Sequence, residues 1–254
     1  TRNKRWSSAK FLIGESYGTT RAGGLSEFLQ SRYGMYLNGI MLVSSILNFI
    51  TARFTPGNDL PFILFLPTYT ATAWYHKKLA PELQKDLNKT LGQVEEFALN
   101  EYTLALMKGS QLTAKERKSI IDKLALFTGL SKKYIDQTNL RIDIHRFTKE
   151  LRRDEGITVG RLDSRYTGFD KDEAGEYYES DPSYDAILGA YTATLYDYVR
   201  RDLEVEIDRH YEILISLYET WKYEKHENQF VNTGEQLRNA FRSNPFLKVI
   251  VCNG

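Results

Sequence analysis

Three short apolar runs punctuate this chain, and the rest of its apolar residues follow helical spacing. The runs lie at residues 9–13, 39–44 and 247–252. Apart from Lys10, Ser44 and Lys248 they are free of polar residues, and runs of this kind suit strands of a parallel sheet buried on both faces. A helical pattern over about 19–32 follows the first run. Another over 234–242, closed by Ser243, Asn244 and Pro245, precedes the last. Strand, helix and strand in this order form the repeating unit of an α/β fold.

The intervening stretch reads mainly as helix. Leu83, Leu87, Leu91, Val94, Phe97, Ala98, Tyr102 and Leu106 recur near helical spacing and predict one long helix over 82–108. Thr113 and Glu116 have the spacing of a capping box, and Gly129 marks a stop. Further helices are predicted over 66–79, from Ser131, over 142–154, 183–203 and 211–223. Residues 156–182, rich in Gly, Asp and Glu, predict an irregular loop. The expected organisation is a sheet-bearing core over 1–48 and 232–254, interrupted by a large helical cap over 49–231.

Chemistry enters at the end of the first run. Gly14, Glu15, Ser16, Tyr17 and Gly18 spell G-x-S-x-G between a predicted strand and a predicted helix. This is the nucleophile-elbow pattern in the context that gives it meaning. So tight a turn strains the serine backbone and pushes its hydroxyl out over the sheet edge. Both glycines are expected to be required because a side chain at either would collide with strand or helix. Ser16 is then the candidate nucleophile, and the Tyr17 backbone N–H a candidate oxyanion donor.

The block from Arg5 to Gly18 resembles the serine carboxypeptidase family of α/β-hydrolases, where the nucleophile sits in a Gly-Glu-Ser-Tyr-Gly block. Two further blocks, Leu66 to His76 and Val159 to Tyr166, are similar to the bacterial carboxypeptidase-related branch. The resemblance implies an α/β-hydrolase fold, seen as part of its parallel-sheet core plus the cap. It implies a secreted or periplasmic serine hydrolase that removes C-terminal residues from peptides without a cofactor. It also implies that Glu15 binds the substrate's C-terminal carboxylate through a carboxyl–carboxylate hydrogen bond, which favours acidic pH. An esterase or acyltransferase of the same fold is the neighbouring reading. A non-catalytic chain whose cap is a binding surface is the reading from another class. Thr19 departs from the pattern, since many members carry a second glycine there.

The order of a hydrolase triad is serine, acid, histidine. Few residues precede Gly14, and no glycine-rich oxyanion loop is visible. The chain therefore looks like the middle of a longer protein, with the triad Asp and His outside it. The 254 residues alone are expected to be inactive and to leave apolar sheet surface uncovered. His76, His145, His210 and His226 are expected to be surface or packing residues in the helical insert. Arg161, Asp163 and Arg165 read as a salt-bridged loop anchor.

Composition narrows the rest. A net charge of +1 gives no electrostatic footprint for nucleic acid or an acidic membrane. The most apolar window, 41–50, is too short to span a bilayer. Cys252 is the single cysteine and falls in an apolar run, so it is expected to be a small buried hydrophobe with no disulfide partner. One cysteine and scattered histidines predict no metal cluster. Residues 170–175 only partly mimic a calcium loop and read as a solvated acidic loop.

Overall fold

The computed structural model describes residues 4–217, 220–223 and 226–253. In chain order the elements are β1 Phe11–Glu15, α1 Tyr17–Tyr33, β2 Gly39–Val43, α2 Leu60–Tyr75, α3 Leu87–Phe97, α4 Thr103–Lys108 and α5 Ala114–Thr128. They continue with α6 Lys132–Gln137, α7 Ile144–Glu150, β3 Thr158–Val159, β4 Thr167–Gly168, α8 Pro182–Asp197, α9 Gly234–Ser243 and β5 Lys248–Cys252. The fold is mixed α/β, about half helical, with a small parallel sheet of three strands. No helix among the described residues is long and apolar enough to cross a membrane.

The chain divides into two compact units, Thr1–Arg53 with Glu219–Gly254, and Phe54–Tyr218. The first holds the sheet, in the order β1, β2, β5 with both pairs parallel. The three predicted runs are therefore adjacent, although about 200 residues separate β2 from β5 in sequence. Register places Leu12, Ile40 and Val249 in one row, and Ile13, Met41 and Ile250 in the next. The pleat sends alternate rows to opposite faces. Leu12, Ile40, Leu42 and Val249 pack with Ala22 of α1 and Leu237 and Ala240 of α9. A polar pair stitches this layer: buried Asn244 donates to Gln30 Oε1 and to Leu37 O, while Gln30 donates to Ala240 O.

The opposite face departs from the expectation of strands buried on both sides. Phe11, Ile13 and Ile250 are 70, 72 and 56% exposed. Continuous apolar composition hides the alternation because both faces carry the same residue type. Cys252 corrects the buried-hydrophobe reading for the same reason. It is exposed, because it sits on the edge strand two residues beyond Ile250 and points the same way.

The second unit is built from helices α2 to α8 and the short β3–β4 ladder. Its core joins Leu66 and Tyr69 of α2, Val94 and Phe97 of α3, Leu124 of α5 and Phe147 of α7. Tyr69 stacks on Phe147 with centroids 4.1 Å apart. The capping box at the start of α5 forms as its spacing predicts: Glu116 N donates to Thr113 Oγ1, and Thr113 N to Glu116 Oε2.

Four predicted helices differ: that expected over 66–79 spans Leu60–Tyr75, and that expected over 142–154 is limited to Ile144–Glu150. The helix expected over 82–108 begins at Leu87, where the Asp86 side chain accepts from Lys89 N, and widens into a π turn over Ala98–Tyr102. The helix expected over 211–223 does not form among its described residues. Tyr211, Leu214 and Ile215 have the spacing of one helical face, but all three are exposed, so no packing partner stabilises a helix there.

The loop read as solvated is tied down at one point. The Lys149 and Asp170 side chains are 3 and 8% exposed and pair at 2.5 Å. Asp170 also accepts from Lys171 N and Glu179 N. Burial works against its charge, but Lys149 and these backbone donors prevail and hold the carboxyl below its usual value.

Candidate active site

Ser16 occupies the single residue between β1 and α1. Its backbone sits at φ 51°, ψ −121°, outside the regions open to L-residues without strain. A conformation of this kind costs about 1–3 kcal/mol and persists only where its surroundings over-determine it. Here the determinants are visible. Ser16 N donates to Val43 O at 3.0 Å, which prolongs the β1–β2 ladder by one rung. Ser16 O accepts from Thr19 N at 3.0 Å and from Thr19 Oγ1 at 2.6 Å. The side chain makes no capping bond to the helix and is exposed, so the hydroxyl is presented rather than consumed.

The glycines differ in their roles. A Cβ on Gly14 would lie 2.3 Å from Gly18 O and 2.7 Å from Thr19 N, so the turn closes only around a hydrogen. A Cβ on Gly18 would meet nothing within 4 Å. The expectation that both are sterically required is therefore corrected for Gly18, which already lies within the regular first turn of α1.

Thr19, the position that departs from the resembled pattern, is fully buried. Besides holding Ser16 O, its hydroxyl accepts from Ile46 N at 2.9 Å. A hydroxyl has one proton to give. Ile46 O takes its proton from Thr20 Oγ1 at 2.6 Å, which leaves the Thr19 proton for Ser16. One side chain thus couples the elbow to the loop that follows β2. Sequence reading missed this role; the signal was a β-hydroxyl three residues after the serine at a position assigned to a backbone-permissive residue.

Tyr17 opens α1, so its N–H and that of Gly18 belong to the first turn, where helix donors have no partner inside the helix. The positive end of a helix 17 residues long lies behind them. The Tyr17 ring meets Phe49 edge-on at 6.0 Å and Trp221 edge-on at 5.6 Å. Trp221 Nε1 donates to the Tyr17 hydroxyl at 3.2 Å. Glu15, the last residue of β1, is exposed.

The histidines separate by unit. His226 lies in the unit of the elbow and helps line a cleft with Tyr17 and Trp221. Among the described residues, none of the four histidines is hydrogen-bonded to Ser16. His76, His145 and His210 belong to the other unit. Burial pushes the His76 ring below its usual value, against the pull of a 2.6 Å bond between Nε2 and Ser164 O. Burial lowers His145 as well, beside the rings of Tyr177 and Tyr178. His210 bonds the Tyr196 hydroxyl. Asp163 grips Arg165 through both carboxylate oxygens, and Arg161 lies 3.8 Å from Asp181, the cap of α8. These are the contacts of loop anchors. Thr72 and His76 both bond Ser164, so the two outlying blocks similar to the carboxypeptidase branch pack on each other. Comparison with protein-family models, with curated proteins and with solved structures finds no match.

Proposed function

We propose that the chain carries the nucleophile of a serine hydrolase with an α/β-hydrolase core, acting as a carboxypeptidase on the C-terminal bond of peptides. The observation that carries this reading is Ser16 itself. It is an exposed serine at φ 51°, held between a parallel strand and a helix N-terminus by bonds to both. Its side chain makes no capping bond to the helix and is exposed, and in this reading the first-turn N–H groups receive the negative charge that develops.

In this reading a base takes the Ser16 proton as Oγ attacks the carbonyl carbon. The carbonyl oxygen becomes an oxyanion that accepts from Tyr17 N–H. Collapse breaks the C–N bond, and the amine leaves with the proton that the base returns. Water then cleaves the acyl-serine by the same two steps in reverse roles. Following the resemblance, the acid and base come from residues after the last sheet strand, and Glu15 faces the substrate's terminal carboxylate.

The test uses the full-length protein. A fluorophosphonate should label it once, and N-blocked dipeptides should be hydrolysed. Ser16→Ala should abolish both. Labelling or turnover that survives in Ser16→Ala would refute the assignment, as would a full-length protein inert to the phosphonate. Hydrolysis of esters but not of peptides would move the reading to an esterase.

A further inference from the structure

A second strained serine stands at the carboxyl end of the sheet. Ser16 N donates to Val43 O, and Ser44 N donates to Cys252 O at 2.9 Å. Both bonds continue the parallel register by one residue, so Ser16, Ser44 and Asn253 form one row across the ends of β1, β2 and β5. Neighbouring strands in such a row lie about 4.8 Å apart. Ser44 turns out of β2 at φ 47°, in the left-handed region that favours glycine. Its surroundings hold it there from both sides. Ser45 N and Oγ donate to Asn253 Oδ1 at 2.8 and 3.1 Å, and Ile46 is bound through its N and O to Thr19 and Thr20 of α1. The Ser44 hydroxyl is not part of that lock. The residue is exposed, and among the described residues its side chain makes no hydrogen bond. A disfavoured backbone whose side chain does nothing to maintain it points to a use of that side chain outside the fold.

We infer that Ser44 contacts the substrate, and that its Oγ accepts a hydrogen bond from the N–H of the peptide bond cut at Ser16. The inference deepens the hydrolase reading and rests on it for the identity of the ligand as a peptide. A peptide bond brings one acceptor and one donor. At the elbow its carbonyl oxygen faces the first-turn N–H groups of α1, which can only donate. Its N–H needs an oxygen. The backbone oxygens of this row are already engaged: Ser16 O accepts from Thr19, Val43 O from Ser16 N, and Cys252 O from Ser44 N. The Ser44 hydroxyl keeps its lone pairs free one strand away from the nucleophile. The amide nitrogen is one bond from the carbon under attack, so a peptide seated on Ser16 brings its N–H toward the neighbouring strand end. Ligands of open parallel sheets bind outside the carboxyl ends of the strands, where this row lies. An ester has the same shape without the N–H, so the contact favours amides over esters.

The test uses the full-length protein, with an N-blocked Phe-Phe dipeptide and the depsipeptide in which an ester oxygen replaces the scissile N–H. Two variants remove the hydroxyl with different effects on the turn. Ser44→Ala keeps a Cβ at positive φ, and Ser44→Gly relieves that strain, so Ser44→Gly should melt above Ser44→Ala. Both should lower the amide-to-ester ratio of kcat/KM about tenfold. A ratio unchanged in both variants, or lowered in only one, overturns the contact. Amide and ester rates that fall together would mark a residue that shapes the turn, and overturn it as well. A wild-type protein that turns over the ester alone also overturns it. In each of these cases phosphonate labelling still judges Ser16 as the nucleophile. A wild-type protein inert to the phosphonate, or cleavage that survives Ser16→Ala, sinks the hydrolase reading and this inference with it.

Discussion

Replacing Thr19 by Val exchanges a hydroxyl for a methyl group of similar size at a fully buried position. The change removes the acceptor for Ile46 N–H and the 2.6 Å donor to Ser16 O. Ser16 O keeps the bond from Thr19 N, so its loss is that of one ordinary hydrogen bond, about 1 kcal/mol. Ile46 N–H is left without its partner in a sheltered site, which costs about 1–3 kcal/mol. Burial of the new methyl returns about 0.8 kcal/mol. The net expectation is a loss of about 2 kcal/mol from the sheet-bearing unit. Thr19→Ser keeps both bonds and loses only a methyl, so it should cost about 1 kcal/mol or less. Urea unfolding followed by tryptophan fluorescence in a Trp74→Phe background reads this unit, because Trp6 and Trp221 lie in it and Trp74 does not. If the enzyme reading holds, Thr19→Val should also slow phosphonate labelling of Ser16, since the elbow carbonyl is less firmly held. Thr19→Ser as damaging as Thr19→Val, or a Thr19→Val loss under about 0.5 kcal/mol, would show that the hydroxyl does not lock the turn.

Gly14→Ala should prevent folding of the unit, with a Cβ 2.3 Å from Gly18 O, whereas Gly18→Ala should be neutral or stabilise by about 0.5–1 kcal/mol through helix propensity; thermal melts that rank them the other way would contradict this. Lys149→Met should cost about 3–5 kcal/mol by stranding Asp170, and Lys149→Met with Asp170→Leu should recover most of it. Because the Asp170 carboxyl is held below its usual value, its contribution is complete above the ordinary carboxylate range and fades as pH falls through the lowered value. Asp170→Asn should therefore flatten the acid limb of the stability curve. An unchanged limb would mean that the pair is not what acid breaks.

The sheet was legible because its three strands are short apolar runs next to helical patterns. Their adjacency followed from the preference for parallel pairing between such units. The face left open was not legible, since Phe11, Ile13 and Ile250 match in polarity the residues that point inward. The elbow could be read from five residues because its constraint is local, and the Gly14 contact with Gly18 is four residues long. Trp221 could not, because it reaches Tyr17 across 204 residues and belongs to a stretch read as a helix that does not form among its described residues. The missing helix over 211–217 shows the same limit: apolar content and spacing suggested an element, and the absence of a surface to bury its apolar side is a tertiary fact.

The π turn between α3 and α4 has a meaning for how this chain can change in length. Phe97 and Tyr102 lie with rings nearly parallel, 18° apart, although five residues separate them. In a regular α-helix such a pair diverges around the axis; the wider turn, closed by Thr103 N to Ala98 O, brings them back into line. The turn thus absorbs one residue without rotating α4. Loss of a residue from the exposed stretch Leu99, Asn100 and Glu101 would tighten the coil and leave Ala105 and Leu106 on their inward side. The same loss in the middle of α5 would swing its remainder by about 100° and turn Phe127 out of the core. Among related chains, single-residue insertions and deletions should therefore collect at this turn.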